Sequence, residues 1–193
     1  MLHSALLDKN KLDDIFSFLA DEYKKTGSKE TINIYVVGGA AIVINFTYRL
    51  STIDVDALYE LDPNFEKAKE AVKNKYKLNS DWLNNDFIST PSYSPKIVEY
   101  SNLFKSYSNL INIYVLEPKY LIAMKLKSSR PTGGDLDDII KMIYELRLNN
   151  KKITFDEIIS AYKDLYSSFD NTYDYFINKT IEALETPLED ILL

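Results

Sequence analysis

The chain has 193 residues, of which 46% are apolar and 27% charged, the usual balance of one globular domain, alone or with a helical extension. It contains no cysteine and one histidine, His3, which excludes disulfides, thiol nucleophiles, thiolate-bound zinc or iron–sulfur sites, serine–histidine triads and multi-histidine metal sites. The net charge of −6 is uneven, because residues 154–193 carry nine acids and two lysines. Any chemistry is therefore expected to use carboxylates, lysine, hydroxyl groups and a metal held by oxygen ligands.

Three further patterns indicate where the protein works and what it binds. The longest nearly apolar run, Tyr35–Ile44, is about half the length of a membrane span. The N-terminus has no basic start and Asp8 interrupts it early, so no signal peptide is predicted. The acidic tail argues against nonspecific binding of nucleic acid over the whole surface. We therefore expect a soluble cytoplasmic protein that does not use a membrane.

Helix and strand patterns alternate in the first part of the chain. Apolar spacing predicts one or two helices over residues 4–24, and a β-branched run predicts a strand over 32–37. A short apolar helix over 40–46 and a second strand over 53–59 follow. Pro63 fits the first turn of a helix that ends near residue 76.

Helices dominate the rest of the chain. Residues 77–95 are typical of a loop, and Asp135 is expected to be the N-cap of a helix. The further elements are strands over 97–101 and 110–116, helices over 118–129, 135–148, 155–167 and 172–185, and a breaker over 130–134. This order predicts an α/β (α+β) fold, with a small mixed β-sheet, flanking helices and a helical C-terminal region. We expect the division to separate residues 1–150 from the acidic residues 151–193.

Asp54 and Asp56 are the first candidates for chemistry. Side chains alternate along a strand, so both aspartates share the face opposite the core. The set predicted to face the core is Ile53, Val55, Ala57 and Tyr59. Carboxylates two residues apart are about 7 Å apart at the backbone and can converge on one hard cation such as Mg²⁺. An isolated Asp-x-Asp more often marks the solvated face of a half-buried strand.

Gly38 and Gly39 lie between the first predicted strand and the short apolar helix. Residues without side chains let the backbone approach a ligand closely, and the N–H groups of the following helix suit a phosphate. The same pair also fits an ordinary tight turn. The order strand, Gly-Gly, helix and strand with Asp-x-Asp is much more specific than either feature alone.

This order resembles the nucleotidyltransferase superfamily with a polymerase-β-like palm. Arg49-x-Ser51-Thr52 stands before the Asp-x-Asp strand, and 14 residues separate Gly39 from Asp54, which is more similar to AbiEii-type nucleotidyltransferase toxins than to the minimal Gly-Ser subgroup. Residues 118–126, Arg130 and residues 135–139 resemble later lysine and aspartate motifs of that family. Residues 82–86 resemble a loop of related nucleotidyltransferases. The likeness covers about residues 30–145.

The resemblance implies metal-dependent transfer of a nucleoside monophosphate from an NTP to an acceptor hydroxyl. Asp54 and Asp56 would be catalytic and would hold Mg²⁺ or Mn²⁺. The implied nucleotide-binding set is Gly38, Gly39, Arg49, Ser51, Thr52 and Lys125. Arg49 also fits a structural ion pair, Ser51 and Thr52 also fit turn capping, and Lys125 also fits a lysine whose stem snorkels along an apolar helix face.

Many members of this superfamily add a third carboxylate from a neighbouring strand. The strand predicted over 110–116 offers none, because its outward positions are Asn112 and Tyr114. The substitutes elsewhere are Asp86, Glu99 and Glu117, together with Asp135 and Asp138 of the aspartate motif. Asp135 also fits a helix cap, and Asp138 is expected to point away from the apolar stripe of its helix.

The resemblance also implies partners. An AbiEii-type protein would be a bacterial toxin of a toxin–antitoxin system, with a cognate antitoxin and with RNA, tRNA or a protein as the acceptor. RNA would approach over residues 118–130, which hold four bases and no acid. The competing interpretation is a catalytically degenerate nucleotidyltransferase fold that binds a partner or a nucleotide, or acts like an antitoxin, without turnover.

Overall fold

The computed structural model describes residues 5–130, 132–169 and 174–191, and its contacts group these into two units. His3, the start of the predicted first helix, Pro131 of the breaker and residues 172–173 of the predicted last helix lie outside the described residues. Unit 1 takes the described residues of segments 1–45, 49–86 and 101–116, and unit 2 takes those of segments 46–48, 87–100 and 117–193.

Unit 1 contains a five-stranded mixed sheet in the order β3-β2-β1-β5-β4. Its strands are β1 (Ile32–Val36), β2 (Val55–Leu58), β3 (Leu83–Asn84), β4 (Ser101–Tyr107) and β5 (Ile111–Leu116). β1 is parallel to β5 and antiparallel to β2, while β3 is parallel to β2 and β4 antiparallel to β5. The prediction of a small mixed sheet is confirmed.

Unit 1 also contains three helices, α1 (Lys9–Lys25), α2 (Gly38–Asn45) and α3 (Pro63–Tyr76). α2 packs on β2 and β5, α1 contacts β4, and α3 packs on α1. Alternation along the strands buries one set of side chains on one sheet face. The buried set is Ile32, Ile34, Val36, Val55, Ala57, Ile111, Ile113 and Val115. The half-buried or exposed set on the other face is Asn33, Tyr35, Asp56, Leu58, Asn112 and Tyr114.

Two strand predictions are wrong at their boundaries. β2 begins only at Val55, and Ile53 is 57% exposed instead of facing the core. The reason is a bridge in which Thr52 pairs with Leu7, so that residue 53 lies in a bend before the strand. The strand predicted over 97–101 is a 3₁₀ helix over Pro95–Val98, and β4 begins where that prediction ended.

The same bridge explains why α1 begins later than predicted. The backbone N–H of Leu7 donates to Thr52 O at 2.7 Å and the Leu7 carbonyl oxygen accepts from Thr52 N at 3.0 Å, which requires an extended chain at residue 7. Asp8 then caps the helix, because its side chain accepts a hydrogen bond from Lys11 N.

Unit 2 is built around α4 (Pro118–Ser128), which packs on α5 (Asp135–Leu148) and α6 (Phe155–Tyr166). Every residue from Tyr120 to Leu126 is buried, so this helix has no solvent face over two turns. α7 (Asp174–Glu185) packs on α5 and α6. Among the described helices, none combines the length and apolar character that a membrane span requires.

Candidate functional site

Asp54 and Asp56 lie at the start of β2, and both are half-buried. Asp56 is the second residue of the strand and alternates with the buried Val55 and Ala57, while Asp54 immediately precedes the strand. The carbonyl of Asp56 accepts a hydrogen bond of 2.9 Å from Val37 N at the end of β1. This bond holds the aspartate segment next to the turn that leads from β1 into α2.

Gly38 and Gly39 form the first turn of α2, where the chain passes close to the aspartate segment. Gly38 has φ +60°, and a Cβ atom at this residue would lie 2.9 Å from Asp56 Oδ2. A Cβ atom on Gly39 would lie 2.8 Å from Thr52 Oγ1 and 3.1 Å from Arg49 Nη2. A side chain at either glycine would therefore displace these side-chain atoms, and at Gly38 it would also be strained by the backbone conformation.

These contacts join two motifs that are separate in the sequence. Thr52 Oγ1 lies 3.4 Å from Asp54 Oδ1, and Arg49 Nε lies 3.5 Å from the Ser51 carbonyl. The structure therefore brings together Gly38, Gly39, Arg49, Ser51, Thr52, Asp54 and Asp56 around one strand-to-helix turn. We name this group the aspartate–glycine site.

We expect Gly38→Ala to lower the free energy of unfolding by about 1–3 kcal/mol and to weaken binding of NTP with Mg²⁺. Alanine at φ +60° is strained, and its Cβ would push the Asp56 carboxylate aside. Gly27→Ala is the matched control, because Gly27 has φ +82° but no atom within 4 Å of the added Cβ. Equal stability losses and unchanged NTP binding in both variants, measured by urea unfolding and calorimetry, would contradict the close approach.

Asp54 is electrostatically unlike an exposed aspartate. Burial raises its pKa, the Thr52 hydrogen bond opposes that shift, the negative charge of Asp81 adds to it, and Arg49 opposes it, with a net increase. Ionised Asp54 is thus destabilised in the folded protein, and a cation beside it would relieve this cost. Asp81 was not among the residues singled out in the sequence, although its neighbour Trp82 opens a segment that was.

The aspartate–glycine site fits a hard cation as a partial ligand set. Its donors are carboxylate and hydroxyl oxygens, which Mg²⁺ and Mn²⁺ prefer, and two carboxylates leave the other coordination positions to water and substrate phosphates. In the described ranges, no group of three or more histidine, cysteine, aspartate or glutamate residues is arranged to hold a metal.

The strand next to the aspartates carries an amide instead of a carboxylate. β3 pairs with β2 so that Asn84 stands beside Asp56. The Asn84 side chain accepts from Asp86 N at 3.0 Å and donates to Asp81 O at 3.1 Å, while Asp86 itself is exposed. The sequence analysis placed Asn84 in a loop segment and gave it no role, because a strand of two residues has no periodicity to reveal it.

Unit 2 holds a second charged cluster, centred on Lys125. Its ammonium group lies 2.9 Å from Asp135 Oδ1 and 2.8 Å from Asp138 Oδ2, and its side chain is only 10% exposed. Asp138 also accepts a hydrogen bond of 3.2 Å from the Tyr48 hydroxyl, so it lies buried instead of pointing away from the apolar stripe. The role of Lys125 at a triphosphate stays a prediction.

Asp135 is not the cap of α5, contrary to the sequence prediction. Gly134 is the N-cap, with φ +73°, which leaves the Asp135 side chain free to bind two cations. Arg130 Nε and Nη2 each lie 3.0 Å from its carboxylate oxygens, in addition to Lys125. Of the other proposed carboxylates of unit 2, Glu99 is an exposed 3₁₀-helix cap and Glu117 is the N-cap of α4.

The cluster predicts an acid-sensitive stability. Burial would raise the pKa of Asp135, but the Arg130 hydrogen bonds and the Lys125 charge outweigh it and hold the pKa well below its usual value. A lowered folded-state pKa contributes stability above the unfolded value of about 4 and loses it as the pH falls further. We expect Arg130→Gln to destabilise the protein most near neutral pH, with the difference from wild type shrinking below about pH 4. Urea unfolding at several pH values measures this, and a difference independent of pH would contradict it.

Comparison with known proteins gives one match. Residues 10–183 match the family described as "Nucleotidyltransferase of unknown function (DUF6036)". Comparisons with curated proteins and with solved structures found no match. The family description agrees with the superfamily expected from the Gly-Gly and Asp-x-Asp order, and it does not distinguish an AbiEii-type subgroup. Because the match covers most of the chain and includes the whole aspartate–glycine site, the chain belongs to this family of nucleotidyltransferases.

Proposed function

We propose that the protein transfers a nucleoside monophosphate from an NTP to an acceptor hydroxyl, with Mg²⁺ or Mn²⁺ as cofactor and pyrophosphate as the leaving product. The observation that supports this most is the approach of Gly38 to Asp56, where an added Cβ would lie 2.9 Å from the carboxylate. A helix start without side chains offers backbone N–H groups to phosphate, and the carboxylate beside it offers oxygen to a cation.

Each residue of the aspartate–glycine site has a role in this proposal. Asp54 and Asp56 would hold the cation, which neutralises phosphate charge and the charge that develops on the leaving pyrophosphate. Gly38 and Gly39 leave room for the triphosphate against the backbone. Arg49, whose Nη2 lies 3.1 Å from the position of a Cβ on Gly39, adds positive charge at the same turn.

Lys125 would contact the triphosphate only by exchanging its present partners. It is paired with two carboxylates of its own unit, so phosphate oxygens would have to compete with Asp135 and Asp138. In this proposal Arg49, which lies at the glycine turn, is the cation for the triphosphate, and a role for Lys125 stays an expectation from the family resemblance.

The acceptor is RNA, tRNA or a protein. Of the four bases between residues 118 and 130, Lys125 and Arg130 are paired with Asp135. In the part of the chain that the structure describes, Lys119 and Lys127 form no ion pair and lie near tyrosine rings instead. These two lysines are the part of the predicted basic surface that remains for RNA.

The proposal is tested by incubating the protein with each labelled NTP, Mg²⁺ or Mn²⁺, total RNA and cell lysate. We expect label to move to one acceptor class only with metal, and NTP to bind more tightly with metal than without, since most of the metal's ligands would come from phosphate and water. NTP binding of the same affinity in the presence of a chelator would contradict the metal site. Growth arrest on expression, relieved by loss of transfer, would support a role as the toxin of a toxin–antitoxin pair.

A nucleotide-binding module without turnover is the second candidate. It is favoured by Asn84, which occupies the position beside Asp56, and by the lack of a three-carboxylate group among the described residues. NTP binding without label transfer to any acceptor would favour this candidate over the enzyme.

A further inference from the structure

A row of apolar and aromatic side chains crosses the sheet face that carries Asp56. Tyr35 of β1 is directly opposite Leu58 of β2 on one side and Tyr114 of β5 on the other. Leu103 of β4 stands opposite Tyr114 at the far end of the row. Directly paired residues share a sheet face, so the row is continuous with the strand that carries the aspartates.

The two tyrosine rings stand side by side across the strands. Their centroids are 4.9 Å apart and their planes differ by 22°. The centroid distance equals the usual spacing of neighbouring strands, so the rings are stacked along the hydrogen-bonding direction of the sheet. One face of Tyr35 is therefore covered by Tyr114, and its other face is directed toward β2.

Leu58 is the residue beside that second face of Tyr35, and both side chains are half-buried. Leucine is shorter than tyrosine, so the outer part of the Tyr35 ring extends beyond the Leu58 side chain. Within the described ranges, Tyr35 makes no ring contact other than the one with Tyr114. Burial comes first among the causes that raise the Tyr35 pKa, followed by the charges of Tyr114 and Glu60, so its hydroxyl stays protonated at neutral pH.

The distance from the Tyr35 ring to the aspartate–glycine site is compatible with the distance from the base to the phosphates of a nucleotide. Asp56 and Leu58 are two residues apart on β2, a separation of about 7 Å along the strand. A triphosphate at Asp56 and Gly38 would place its ribose along β2 and its base over Leu58, beside the Tyr35 ring. Aromatic side chains hold bases by stacking, with little dependence on which base is present.

We propose that Tyr35, backed by Tyr114, is the stacking surface for the base of the NTP. The inference rests on the proposed function, because the phosphates must lie at the aspartate–glycine site for the base to reach the ring. It assigns to the two tyrosines different roles: Tyr35 touches the base, and Tyr114 fixes the orientation of Tyr35. It also predicts broad use of the four NTPs, since no base-specific hydrogen bond is part of the surface.

Calorimetry with Mg²⁺ and either ATP or inorganic tripolyphosphate tests this inference. We expect Tyr35→Ala to weaken ATP binding about tenfold and to leave tripolyphosphate binding unchanged. Tyr35→Phe should bind ATP like wild type, because it keeps the ring. Tyr114→Ala is the matched control, and it should weaken ATP binding less than Tyr35→Ala does. Tyr35→Leu keeps bulk without a π-face, so it replaces the alanine variant if that variant does not fold.

Three outcomes would overturn the inference. If the Tyr35 variants bind ATP like wild type while replacing both aspartates by asparagine abolishes ATP binding, the stacking surface is wrong and the proposed function stands. If Tyr35→Ala weakens ATP and tripolyphosphate equally, the tyrosine acts only through the fold. If the wild-type protein binds no NTP with Mg²⁺, the proposed function and the inference both fail.

Discussion

Lys125→Met is expected to lower the free energy of unfolding by about 3–5 kcal/mol. The substitution keeps the volume of the side chain but removes the cation between two carboxylates, and Asp135 is fully buried. Asp135 would keep its ion pair with Arg130, and Asp138 would keep the hydrogen bond from the Tyr48 hydroxyl, but both carboxylates would lose the Lys125 ammonium group. Removing one partner of a buried ionic group is costly because the remaining charge has lost its solvation.

The matched control for this prediction is Lys179→Met. Lys179 pairs with Glu182 at 2.5 Å, but the two side chains are 36% and 61% exposed. An exposed pair contributes at most about 1 kcal/mol, so this variant should be near wild type in urea unfolding. A double variant, Lys125→Met with Asp138→Asn, should recover part of the loss. Similar small losses for both lysines would show that the Lys125 cluster is solvated.

Replacing both Asp54 and Asp56 by asparagine is expected to reduce nucleotidyl transfer by at least about 10³-fold, because the proposed cation would contribute several kcal/mol of charge stabilisation. Stability should be unchanged or higher at neutral pH. The raised pKa of Asp54 means that its ionised form opposes folding, chiefly through burial, and asparagine removes that charge.

Glu70→Gln is the control for the aspartate variants, because this exposed glutamate of α3 pairs only with residues of its own helix in the structure. It should transfer label like wild type. Transfer retained by the Asp54→Asn and Asp56→Asn double variant would show that these aspartates are not catalytic. Unfolding of the double variant would instead show that the pair is needed for the fold.

Local sequence patterns were sufficient to predict the helices and strands that have regular apolar spacing and clear end signals. α3 begins at Pro63 and ends at Tyr76 as predicted, because Asp62 caps it and Lys77 adopts a left-handed conformation after it. Short elements were missed. β3 has two residues and β4 carries five exposed side chains in succession, so neither shows the alternation by which a strand is recognised.

Ile53 and Val55 show that local spacing can also fail to predict the burial of a single side chain. Both belong to the alternating set, yet the pairing of Thr52 with Leu7 places one in an exposed bend and the other in the strand. A bridge between residues that are 45 positions apart leaves no trace in local spacing.

By itself the sequence excluded cysteine and multi-histidine sites by composition, and it predicted a turn at Gly38 and Gly39 after the first strand. The structure has that turn, with Gly38 at φ +60°, while the chemistry of the site stays a proposal. Only the tertiary structure decided which side chains meet. It placed Asp56 against Gly38, Thr52 between Gly39 and Asp54, and Tyr35 beside Tyr114. It also gave Lys125 its two carboxylate partners. The reason is physical: composition and spacing constrain one segment at a time, whereas partners across strands and turns depend on register and packing, to which every segment contributes.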